Sequence, residues 1–116
     1  MPASPRPVDL EHLARYTGGD SALNAEVLQL FVDQSAVLMR ELQAVLESRD
    51  AKSWRHITHS LKGAAQGIGA FGLAEVAAVA EPIDPAIQAN EARTVLTDLK
   101  AKSEIVSSFI RGYLGH

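Results

Sequence analysis

The chain has no cysteine among its 116 residues. It therefore has neither a disulfide framework nor a thiolate zinc site. The absence is compatible with a reducing cytosol. Aromatic residues make up only 5% of the chain, and period-two runs of β-branched and aromatic residues are missing. That excludes a fold built on sheets. No stretch approaches the roughly 20 apolar residues of a membrane span. Three of the five prolines fall in the first seven residues. This opening segment, Met1 to Pro7, lacks the apolar core of a secretory signal and reads as a disordered lead-in. No glycine-rich phosphate loop and no kinase signature occurs, so phosphorylation from ATP is not expected.

What is present is apolar residue at helical spacing, 47% of the chain against 22% charged, in a length that suits one domain. Asp9 reads as the N-cap of a first helix carrying Leu10, Leu13 and Ala14 and stopping at Gly18-Gly19. Asp20 caps a long second helix to about Asp50. Its core stripe is Leu23, Val27, Leu30, Phe31, Leu38, Leu42 and Val45. Leu28, Val32 and Met39 form a flanking stripe, available to the first helix or to a partner. Asp50 caps a third helix over Ala51 to about Ile68, and Gly67 and Gly69 mark its end. A fourth runs from about Phe71 to Glu81, with Leu73, Val76, Ala77 and Ala80 on one face, and Pro82 stops it. Asp84-Pro85 is the start signal of the last helix, to about Tyr113, with Ala92, Val95, Leu96, Leu99, Val106, Ile110 and Tyr113 inward. Short connections between substantial helices imply an all-α, antiparallel up-and-down four-helix bundle, with the short first helix across one end.

The third helix carries the run His59-Ser60-Leu61-Lys62-Gly63. At about 100° per residue, Trp54, Ile57, Thr58, Leu61, Ala65 and Ile68 share a core sector. Arg55, His59, Lys62 and Gln66 share another, roughly 120° away. His59 thus sits at an edge of the bundle, where an imidazole can act as nucleophile and leaving group near neutral pH. Lys62, one turn on, is a mobile cation suited to a phosphoryl group, or a solvated lysine. Gly63 faces outward, which favours clearance for another protein's backbone over tight packing. Gly69 points to the core side, where tight packing or a C-cap explains it. Arg55 either assists or is simply a surface residue. His56 is a partner-facing or surface residue. A metal pair of His56 and His59 lacks a third ligand nearby. The net charge of -3 argues against nucleic acid as partner. Lys52, Arg55 and Lys62, with His56 and His59 and only Asp50 opposing, make a local basic patch fitted to an acidic pocket.

His59-Ser60-Leu61-Lys62-Gly63, Ala64-Ala65 and Gly69 resemble the phosphoacceptor motif of histidine-containing phosphotransfer (HPt) domains. The resemblance extends over about residues 8 to 114. It makes 8–116 one HPt domain and 1–7 a lead-in. It implies a phosphoryl carrier, phosphorylated on His59 through Nε2. The carrier takes its group from the aspartyl phosphate of one receiver domain and passes it to the aspartate of another. By the same resemblance Lys62 neutralises phosphoryl oxygens and Gly63 admits the receiver. Glu81 falls where several members hydrogen-bond the other ring nitrogen; an exposed helix-end glutamate is the plainer reading. The chain departs from the family pattern at Pro82 and in the alanine-rich stretch Ala74 to Ala80. Arg55, His56 and Gln66 are the candidate partner contacts. The implied partners are response-regulator receivers, which bring Mg2+, and a hybrid or sensor histidine kinase. A cytoplasmic monomer binding no cofactor of its own is expected. The phosphoacceptor module of a chemotaxis-type kinase shares the bundle and the motif; a stand-alone carrier is the expectation, unless the chain is an excised domain. A helical adaptor using the Leu28, Val32 and Met39 stripe is the reading from another class.

Overall fold

The computed structural model describes residues 6–115. Most of the lead-in over 1–7, and His116, lie outside the described residues. The chain forms five α-helices: α1 Leu10–Thr17, α2 Ser21–Ser48, α3 Ala51–Ile68, α4 Phe71–Ala80 and α5 Ala89–Leu114. Among the described residues there is no strand, and no helix is long and apolar enough to cross a membrane.

Three aspartates begin three of the helices. Asp9, Asp20 and Asp50 accept hydrogen bonds from the backbone N–H groups of His12, Leu23 and Ser53. Each satisfies a donor that the first helical turn leaves unpaired. Gly18 and Gly69 end α1 and α3 in the left-handed region, at φ 67° and 81°. Around the core, α3 packs against α2 and α4, and α5 packs against the same two. The short α1 rests on α2 and α3. It is tied to the end of α3 where the Asp9 N–H donates to the Gly69 carbonyl at 3.0 Å.

The expected core sector of α3 is buried in full: Trp54, Ile57, Thr58, Leu61, Ala65 and Ile68. The expected stripe of α2 is buried in part: Phe31 and Leu42 are buried, and Val27, Leu38 and Val45 pack against the core. Leu23 and Leu30 are exposed, at 40% and 55%, while Leu28 is fully buried. Two small polar residues share the buried face. Asn24 and Ser35 are buried with Leu28, Phe31 and Leu42. Asn24 pairs with Thr17 and donates to the Tyr113 hydroxyl, and Ser35 donates to the Val32 carbonyl. Once hydrogen-bonded, a polar group sits inside at little cost. Apolar spacing alone therefore does not separate the exposed Leu23 and Leu30 from Val27, Phe31, Leu38, Leu42 and Val45, which lie in or against the core. Of the Leu28, Val32 and Met39 stripe, Leu28 is fully buried and Val32 and Met39 are half-buried against the core. Tyr113, expected inward, is 39% exposed.

The last helix also begins later than Asp84-Pro85 suggests. Asp84 does start a turn, and its carboxylate accepts from the Ala86 N–H. The Ile87 and Gln88 N–H groups then both close on the Asp84 carbonyl. The Gln88 side chain bonds back to the Asp84 N–H. That loop is complete in itself, and the helix restarts at Ala89.

Candidate functional site

His59 projects from the middle of α3 with its side chain 66% exposed. Ile57 and Leu61 anchor the helix in the core on either side of it. Its ring does not stand alone. Nδ1 lies 2.8 Å from Oε1 of Glu81, the residue just past the end of α4. The other oxygen of the same carboxylate, Oε2, accepts a hydrogen bond from Lys62 Nζ, also at 2.8 Å. Glu81 and Lys62 are each only about a quarter exposed, at 23% and 26%. One carboxylate thus bridges the imidazole and the ammonium.

The electrostatics follow from that bridge. The hydrogen bond from Lys62, and then that from His59, hold the Glu81 carboxyl below its ordinary range. At neutral pH it is ionised and can only accept. The neutral imidazole must then carry its hydrogen on Nδ1, which leaves the Nε2 lone pair free. An ionised acceptor makes this a charge-assisted bond, roughly twice as strong as a neutral one.

Pro82 does not draw Glu81 out of helical geometry. Glu81 keeps φ -55° and ψ -46°. Its N–H still donates to the Ala77 carbonyl. The bias against helical conformation before proline is overridden at this position. The carboxylate therefore stays on the side of α4 that faces α3.

Around the bridge, Arg55 and His56 lie one turn before His59 and are exposed. With Lys52 and Glu81 they line a shallow hollow that includes His59. Among the described residues, Lys52, Arg55 and His56 enter no salt bridge. Gln66 is exposed two turns past His59. A Cβ added at Gly63 or Gly67 would meet nothing within 4 Å, so neither glycine is required for packing. Gly69 differs, since a Cβ there would lie 2.7 Å from the Asp9 carbonyl oxygen. Beside Ala64 and Gly67, Tyr16, Leu23 and Leu30 form an exposed apolar hollow with Val27. Sequence periodicity missed it, because Leu23 and Leu30 were assigned to the core. Among the described residues no group of three His, Cys, Asp or Glu side chains could hold a metal ion.

Comparison with known proteins gives the same family from two directions. The family model of the Hpt domain matches residues 26–102. The fold is similar to the crystal structure of histidine-containing phosphotransfer protein B (HptB) from Pseudomonas aeruginosa PAO1, with a TM-score of 0.85. The two are 25% identical, over 95% of this chain and 96% of that one. No curated protein matches the sequence. With a family match across well over half its length, the chain belongs to the Hpt domain family, and its function is histidine phosphotransfer in a two-component phosphorelay.

Proposed function

We propose that His59 is the phosphoacceptor and that its Nε2 carries the phosphoryl group. One observation carries the reading. The Glu81 carboxylate takes the Nδ1 side of the ring, and so presents Nε2 to solvent as the nucleophile. In the forward step the Nε2 lone pair attacks phosphorus of a receiver's aspartyl phosphate. The bond from phosphorus to the carboxylate oxygen breaks, and its electron pair leaves with the aspartate. The ring becomes a phosphoimidazolium, whose positive charge is offset by Glu81 through the Nδ1–H. In the reverse step a receiver aspartate attacks phosphorus, and the N–P electron pair returns to Nε2. Such transfer rests on positioning and on charge neutralisation more than on covalent help from the protein.

Lys62 supplies the mobile cation. Its ammonium is already at the site, held by Glu81, and a short swing on a flexible stem brings it to phosphoryl oxygens. The Mg2+ that neutralises further charge belongs to the receiver. Gly63 gives the receiver room, and Arg55, His56 and Gln66 contact it. The basic hollow suits the acidic pocket that holds a receiver's aspartate and cation. The apolar hollow of Tyr16, Leu23 and Leu30 extends that contact on the far side of Gly67. The partners are response-regulator receivers and a hybrid or sensor histidine kinase. We read the chain as a phosphoryl carrier without ATP-dependent kinase activity. In this reading it works as a cytoplasmic monomer that binds neither nucleic acid nor membrane. Its four longer helices, α2 to α5, form an antiparallel up-and-down bundle, and residues 8–116 make one HPt domain.

The test is phosphoryl uptake from a phosphorylated receiver by the wild type and by His59→Gln. Wild type gains acid-labile phosphate and the variant gains none, with its helical circular dichroism unchanged. Equal uptake by the variant would remove His59 from the role.

A further inference from the structure

Trp54 is the largest fully buried side chain of the protein. Its indole Nε1–H donates to the main-chain carbonyl of Ala80 at 2.8 Å. Ala80 is the last residue of α4, and Glu81 follows it directly. Trp54 lies on α3, five residues before His59. The bond therefore joins the helix that carries the imidazole to the point on α4 from which the carboxylate projects. We infer that Trp54 is a positioning residue for phosphotransfer, fixing α4 on α3 so that Glu81 meets Nδ1 of His59. The inference rests on the reading of the His59–Glu81 pair given above.

The make-up of α4 explains why such a tether matters. Its buried residues are Leu73, Ala74, Ala77 and Ala80. Three of the four are alanines, which offer little interlocking relief against axial sliding or rotation. The helix has only ten residues, and no side chain caps its start. At its other end Pro82 has no N–H to extend the backbone ladder. The Ala80 carbonyl is reached by the Ile83 N–H at 3.1 Å and by the Trp54 indole. Of the two, only the indole comes from another helix. A hydrogen bond is directional where apolar packing is not. In a buried setting it fixes the register that the alanine face leaves loose. An indole N–H placed in the interior also has to find an acceptor, so the constraint acts in both directions.

The experiment compares Trp54→Phe, Glu81→Ala and the double variant. One readout is the 15N shifts of the His59 ring, which report its tautomer; the other is the rate of phosphoryl uptake from a phosphorylated receiver. In Trp54→Phe the Nε2–H tautomer gains population. The rate falls by about 10-fold, by analogy with loss of the partner that orients a metal-bound histidine. In the Glu81→Ala background Trp54→Phe produces no further fall, because the two act through one contact. Replacing Trp54 by 3-benzothienylalanine keeps the ring's size and puts sulfur in place of the N–H. It gives the same tautomer shift, even if Trp54→Phe fails to fold. Wild-type shifts and rate in the benzothienyl variant overturn the inference. So does an equal fractional loss with and without Glu81. An unchanged tautomer in Glu81→Ala would overturn the underlying pair instead.

Discussion

At the scale of single residues, the three glycines of α3 and its cap make different demands. Gly63 sits in a helix with open space where a Cβ would go. Gly63→Ala should therefore stabilise the protein by about 0.5–1 kcal/mol, the helical advantage of alanine. Gly69→Ala should destabilise it by more than about 1 kcal/mol, since the residue is at φ 81° and the new Cβ would strike the Asp9 backbone. Urea unfolding of both variants checks the pair, and a cost at Gly63 would contradict its assignment to clearance. Glu81 adds a pH dependence. Its pKa is depressed in the folded state, so the unfolded chain binds the proton first as pH falls. The contribution is present in full above the ordinary value of 4.5 and is lost as pH drops through the lower folded value. Wild type should exceed Glu81→Gln in urea midpoint at neutral pH, with the gap closing in acid. A gap independent of pH would mean that the carboxylate charge contributes nothing.

At the scale of helices, legibility followed the purity of the pattern. In α3 the apolar sector contains a single polar residue, Thr58, which bonds back to its own helix at the Trp54 carbonyl. The wheel therefore placed every buried residue correctly, and with it His59, Lys62 and Gly63. The second helix has two apolar stripes, and its interior includes Asn24 and Ser35. Members of both stripes pack inward, and of the two polar residues only Asn24 bonds to other helices, to Thr17 and Tyr113. The Glu81 contact depends on the register of α4 against α3, which no single-helix pattern encodes. Leu30 is exposed beside Gly67. Leu30→Glu should change stability by no more than about 0.5 kcal/mol. It should weaken receiver binding, as titration calorimetry would show. Unaltered affinity would remove the apolar hollow from the docking surface.

At the scale of the whole molecule, charge and chemistry are segregated. The chain is acidic by -3 overall, yet the outward side of α3 carries Lys52, Arg55 and Lys62. Asp50, the acid nearest this cluster in sequence, is engaged as a helix cap with Ser53. Lys62 is paired with Glu81, so the unpaired positive charge beside His59 is that of Lys52 and Arg55, and in the proposed role it would steer an acidic partner towards the imidazole. The remainder of the molecule is scaffold. It buries one face of α3, holds α4 alongside, and leaves an imidazole outside with one nitrogen occupied. The central claim is that the occupied nitrogen is Nδ1 and the reactive one is Nε2 of His59. Its most direct test is 15N and 31P NMR of the protein phosphorylated by a receiver. Phosphorus is expected on Nε2 of His59, with the Nδ1 hydrogen retained. Phosphorus on Nδ1, or on His12, His56 or His116, would contradict it.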